Sequence, residues 1–162
     1  VGSLMLVEDL SRLPLFAGLA PAHLALLAPL FRPVHFPAGA KAFTEGDAAS
    51  FVYVLVSGDV TIQFRPSDGG CLDIARIRPG GVFGWSAALG RPVYTSSAVC
   101  GTPVDTLAAQ AAELRRVMLA DTELGALLLE RMADVVVSRL EGLRAQLTTL
   151  LHAEDNHDSR WR

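Results

Sequence analysis

The sequence predicts a mainly β domain, an antiparallel β-roll of the double-stranded β-helix or jelly-roll type with flanking helices and a long C-terminal helix. Three observations predict it. Between Phe31 and Ala108, short apolar runs alternate with clusters of Gly, Pro and Asp. Ahead of them, apolar residues recur at helical spacing; behind them lies a proline-free stretch rich in Leu, Ala, Glu and Arg. Short runs with dense turn signals read as paired antiparallel strands, whereas a long proline-free amphipathic stretch reads as one helix.

The 162 residues suit one domain, and 51% hydrophobic with 19% charged residues suits a packed core. Residues 1–152 are assigned to the domain and 153–162, mostly polar, to a disordered tail. The net charge of −3 and pI near 5.8 lack the basic footprint of a nucleic-acid binder, so no nucleic-acid contact is expected of this segment. Neither a membrane span nor a signal peptide is readable, and a cytoplasmic location is expected. Cys71 and Cys100 lie in apolar, strand-like surroundings with no second pair beside them; both are expected to be buried free thiols.

Taken in order, Leu10, Leu13, Leu24, Leu27 and Leu30 form a helical cap that Pro14 and the Gly18–Pro21 segment divide into short helices. The roll occupies about 31–108. Its expected strands are Val34–Phe36, Lys41–Phe43, Phe51–Val56, Val60–Phe64, Cys71–Ile77, Val82–Phe83, Tyr94–Cys100 and Val104–Leu107. Turns fall at Pro37–Gly39, Glu45–Asp47, Ser57–Asp59, Pro66–Gly70 and Pro79–Gly81, each with residues that accept tight or positive-φ backbone. A short helix from Gln110 to Leu119 follows. Asp121 is placed to cap the long helix, about 122–152, in which Gly125 and Gly142 are the weak points.

The long helix carries a heptad seam: Leu129, Val136, Leu143 and Leu150 on one position, Ala133, Leu140 and Leu147 on its companion. A partner helix is implied, and with it a homodimer. Leu128, Met132, Val135 and Val137, beside the seam, are expected to face the roll.

Four pieces in order, Phe36-Pro37-Ala38-Gly39, Phe43-x-Glu45-Gly46-Asp47, Val52 to Val60 with Gly58-Asp59, and Pro79-Gly80-Gly81-Val82-Phe83-Gly84, resemble the cyclic-nucleotide-binding family, which includes the catabolite activator protein and the regulatory subunits of protein kinase A. The resemblance implies a regulatory small-ligand sensor whose ligand is a cyclic nucleotide or another small anion. It places the ligand-binding cassette at Phe83, Gly84, Trp85, Ser86 and Ala87 together with Tyr94, Thr95 and Ser96. In that family the cassette carries a Glu for the ribose and an Arg for the cyclic phosphate. Here Trp85 stands at the first position and Tyr94 at the second, so both diagnostic side chains are replaced and altered or weakened nucleotide specificity is expected. Arg91, three residues before Tyr94, is a further candidate for the missing cation. The alternative is a degenerate, ligand-free dimerisation module of a larger regulator, with Trp85 and Tyr94 filling the pocket.

No enzyme is expected. The four histidines are scattered at 23, 35, 152 and 157, without the clustered pattern of a cupin metal site, and no serine elbow, phosphate loop or carboxylate pair is present. No cofactor and no metal are expected either.

Overall fold

The computed structural model describes residues 8–158. Pro14 and Pro21 each start a new helical segment, as their fixed φ and missing N–H favour. After helical residues 8–12, the cap has a 3-10 turn at Pro14–Phe16, helix α1 at Pro21–Leu27 and a second 3-10 turn at Ala28–Leu30. Leu10, Phe16 and Leu27 bury their side chains beneath it.

All eight expected strands form: β1 (Phe31–Phe36), β2 (Lys41–Phe43), β3 (Phe51–Ser57), β4 (Val60–Phe64), β5 (Leu72–Ile77), β6 (Val82–Phe83), β7 (Ser97–Cys100) and β8 (Val104–Gln110). Every ladder between them is antiparallel. They make two four-stranded sheets, ordered β1-β8-β3-β6 and β2-β7-β4-β5, and no strand links the two into a closed barrel. The apolar faces of both line one core, with Val54, Leu55, Val60, Ala98, Cys100 and Val104 fully buried. Thr106 is the polar exception among the buried β8 residues. Its hydroxyl donates to the Val34 carbonyl at 2.9 Å, so its burial leaves no unpaired donor.

Strand ends differ from expectation where the turns intervene. Gly69 and Gly70 both take positive φ, 94° and 83°, and hold the chain out of the ladder until Leu72. Cys71 is consequently exposed, which corrects its expected burial, while Cys100 on β7 is buried. Tyr94–Ser96 belong to a turn before β7. Gly58, at φ 97°, turns β3 into β4; a Cβ there would collide with the Pro103 carbonyl oxygen.

Helix α2 (Ala111–Ala120) leads into α3 (Thr122–Asp158), 37 residues and about 55 Å long. The helix passes the expected end at His152, taking in the first part of the expected disordered tail; the remainder of that tail lies outside the described residues. Asp121 caps it as expected, its Oδ1 accepting the Leu124 N–H at 3.1 Å, while Oδ2 lies 3.4 Å from His23 Nε2 on α1. Leu124, Leu128 and Met132 are buried. Val137 is 51% exposed, correcting its expected place against the roll: it sits about 200° around the helix from Val135 at 100° per residue. Along the seam, Ala133 is exposed, as are Leu129, Leu140, Leu147 and Leu150, whereas Val136 and Leu143 are half-buried because they turn toward the roll.

Gly125 has a structural reason the composition hides. A Cβ there would run into the carbonyl of Met118, across the α2–α3 elbow, whereas one at Gly142 would meet nothing within 4 Å. The two substitutions should therefore have opposite signs. Gly142→Ala is expected to raise stability by about 0.5–1 kcal/mol through helix propensity. Gly125→Ala should lower it by about 1–3 kcal/mol, as overpacking does. Thermal and denaturant unfolding of the two variants reads both.

Candidate ligand-binding site

Gly84 opens the cassette where the backbone passes close to both sheets, to β3 of the first and β2 of the second. Its φ is 73°, and an added Cβ would lie 3.0 Å from the Phe51 carbonyl oxygen, 3.2 Å from Phe43 and 3.3 Å from Tyr53. Only glycine combines that conformation with that approach. The chain then winds through consecutive turns: Ala87 N–H donates to the Gly84 carbonyl at 3.2 Å, Leu89 N–H to Trp85 at 3.2 Å and Arg91 N–H to Ser86 at 3.1 Å. Among the described residues, the N–H groups of Trp85 and Ser86 donate to no protein acceptor.

Tyr94 faces this turn from the other side. Its ring stacks on Phe43 with centroids 3.8 Å apart and 11° between planes, and it is only 5% exposed. Its hydroxyl donates to the Phe51 carbonyl at 2.7 Å and accepts the Phe51 N–H at 3.0 Å. Its own N–H donates to Asp47 at 3.0 Å, and its carbonyl accepts from Gly46 at 2.9 Å. Asp47 also accepts the Thr44 N–H at 3.0 Å, the turn role its position indicated.

Between these segments lies a cavity of about 220 Å³. Gly84, Trp85 and Ser86 form one wall, Tyr94, Thr95 and Ser96 a second, and Ile62, Ile74 and Ala75 of β4 and β5 a third. Helix α3 closes it with Val136, Arg139, Leu140 and Leu143. Of the cassette residues singled out in the sequence, six therefore converge on one space. Phe83 and Ala87 are buried behind it and do not face it. Arg91 does not reach it either. It is exposed on a separate depression beside Ala48–Phe51 and Arg115, because Ser86 holds its N–H and Pro92 accepts from Ala49 at 3.1 Å, turning the side chain outward.

Arg139 is the cavity residue that sequence reasoning missed. Its Nη2 donates to the Val82 carbonyl at 2.6 Å, and its guanidinium carbon lies 5.8 Å from the Trp85 ring centre, within cation–π range. Burial pulls its pKa below the usual arginine value. The signal was its spacing, three residues after Val136 and four before Leu143, on the stripe that faces the roll. It also borders a more open groove of about 740 Å³ along Pro14, Leu15, β5 and α3.

Ser57 Oγ and His35 Nδ1 both bond the Asp105 carboxylate, at 3.0 and 2.9 Å, so no serine–histidine pair is assembled around it; these bonds, His35 first, hold the Asp105 carboxyl below its ordinary value. Among the described residues no group of three or more His, Cys, Asp or Glu side chains is placed to hold a metal ion. No helix among them is long and apolar enough to cross a membrane.

An eight-stranded roll with a glycine-led turn and a C-terminal helix over its cavity is the frame of a cyclic-nucleotide-binding-like regulatory domain. Residues 33–121 match the sequence profile of the cyclic nucleotide-binding domain, and the chain belongs to that family. It is 31% identical over 147 residues, 91% of its length, to the CRP-like cAMP-activated global transcriptional regulator of Mycobacterium tuberculosis, and it spans 64% of that relative. A candidate cyclic nucleotide-binding protein from Geobacter metallireducens superposes with a TM-score of 0.72 at 30% identity, covering 82% of this chain and 96% of that one. The catabolite activator protein of Thermus thermophilus gives 0.68 at 26% identity, covering 85% and 62%. These relatives are regulators and ligand-binding domains; none is an enzyme.

Tyr53 and Tyr94 are the chain's two tyrosines, and burial raises both. Tyr53 is pushed up to about 12, first by desolvation and then by the neighbouring Tyr94 phenol. A tyrosine whose folded pKa exceeds its unfolded value of about 10 favours the folded state fully below pH 10 and loses that advantage as pH rises toward 12. Absorbance near 295 nm is therefore expected to show less than half of the tyrosine ionised in the native protein at pH 10, with further ionisation and unfolding coinciding above it. Free titration near pH 10 with intact circular dichroism would contradict the packing of both rings.

Proposed function

We propose that this domain is a regulatory small-ligand sensor whose pocket is the 220 Å³ cavity, and that it reads cyclic nucleotides weakly or reads a different small ligand. The observation that carries this reading is the state of Tyr94. By the family resemblance it stands where an arginine pairs with the cyclic phosphate, and here its hydroxyl is already committed to both backbone groups of Phe51. It offers the phosphate neither charge nor a free donor. A missing charge-assisted bond of about 2 kcal/mol corresponds to roughly thirtyfold in affinity. Trp85 at the glutamate position likewise presents a flat ring instead of a ribose acceptor.

Cyclic AMP and cyclic GMP titrated by calorimetry should bind weakly, at or above roughly tens of micromolar, while a thermal-shift screen of nucleotides and small acids should yield a stabilising compound. That stabilisation should vanish in Ser86→Ala with the fold intact. Submicromolar cyclic AMP binding would overturn this reading of the cassette. A second reading, a plugged dimerisation module, is favoured by the burial of the Tyr94 ring against Phe43; silence across the whole screen is its signature.

The proposed assembly is a homodimer through α3, acting within a larger regulator and contributing no nucleic-acid contact from this segment. Leu147 and Leu150, 61% and 63% exposed, form the part of the seam farthest from the cavity. Exposed leucines repeated at heptad spacing are otherwise costly in water. Leu147→Glu combined with Leu150→Glu should halve the sedimenting mass from twice 17.2 kDa, leaving the cavity walls untouched. An unchanged mass would remove the seam from the interface.

A further inference from the structure

We infer that Arg139, supplied by the long helix and not by the roll, is the cation that pairs with the ligand's negative charge, and that the ligand class is a small organic anion with a flat or apolar body. If the cavity is the sensor's pocket, as proposed above, its charge has one source: Arg139 is the only charged side chain among the described residues that line it. One guanidinium donor is used by the Val82 carbonyl. Among the described residues Arg139 forms no ion pair. A half-buried guanidinium without a counter-charge is unfavourable unless something pairs with it.

The other polar groups facing the cavity fit the same partner. Ser86, Thr95 and Ser96 bring hydroxyls, and among the described residues the Trp85 and Ser86 N–H groups meet no protein acceptor and no carboxylate lines the space. A set made of donors around a planar cation selects a carboxylate or a phosphate. Trp85, already beneath the guanidinium, offers the flat surface for the rest of the molecule. At about 220 Å³ the space is smaller than the roughly 300–1,000 Å³ of pockets that hold drug-sized molecules, which favours a compact acid over a whole nucleotide.

Trp161→Phe leaves Trp85 as the sole indole, so its fluorescence reports on the cavity. In that background we would titrate benzoate, phenyl phosphate and uncharged benzamide, each against Arg139, Arg139→Gln and Arg139→Lys. Both anions should give saturable changes and benzamide a weaker one; Arg139→Gln should lose about tenfold or more for the anions alone, with Arg139→Lys between. The tighter of the two anions distinguishes a carboxylate from a phosphate ligand. Equal binding of benzamide and benzoate, or anion affinity retained in a folded Arg139→Gln, would overturn the role of Arg139 while leaving the sensor reading standing. No saturation by any of the three overturns the anion class, and the thermal-shift screen then decides the sensor reading separately.

Discussion

The stack of aromatic rings around Phe43 is the contact on which the rest of this domain depends. Phe43 comes from the second sheet, Tyr53 and Phe83 from the first, and the centroid separations of 6.1 Å for Phe43–Tyr53 and 6.2 Å for Phe43–Phe83 tie the two layers together. Tyr94 closes the stack on Phe43, and its hydroxyl fastens the beginning of β3. Each such ring pair adds about 0.5–1.5 kcal/mol beyond area burial. The larger effect is positional. With Tyr94 fixed, Thr95 and Ser96 face Trp85 and Ser86, and Gly84 is squeezed against Phe51 closely enough to exclude a side chain.

A second set of contacts aims the long helix, and they are bonds to fixed groups of the cap and roll more than side-chain packing. Asp121 caps α3 and meets His23 of α1. Nearly three turns further on, Arg131 donates to the Leu15 carbonyl at 2.6 Å, and about two turns beyond that Arg139 donates to Val82. Gly125 admits the close elbow at Met118 that starts this path. The helix is thus laid along the roll from its capped end and shuts the cavity midway, with its far half clear of the roll.

Most of the roll was legible because turn chemistry is local: Gly46, Gly58 and Gly80 all take the positive φ that their settings indicated. Strand ends were less so, since paired glycines at 69 and 70 delay β5 and thereby expose Cys71. The cassette segments could be paired from their order and the family resemblance, and six of the residues do meet. Arg91 misled because it is near Tyr94 in sequence, whereas the turn hydrogen bonds point it away. Arg139 escaped notice because its place depends on where a helix more than forty residues downstream of Tyr94 comes to lie, which no local pattern specifies. Val137 failed for the opposite reason: its hydrophobicity was read without its angle around the helix.

Val136, Leu140 and Leu143 wall the cavity, yet all three also belong to the heptad pattern. One set of apolar side chains therefore has two possible destinations on a single stiff rod. Were α3 to pair as proposed, a rotation committing them to the other helix would open the cavity, and the proposed ligand, by holding them inward, would withdraw them from that helix. By thermodynamic reciprocity, whatever factor one event imposes on the other is returned unchanged in the reverse direction. On the functions proposed above, occupancy and assembly would compete for the surface these residues share.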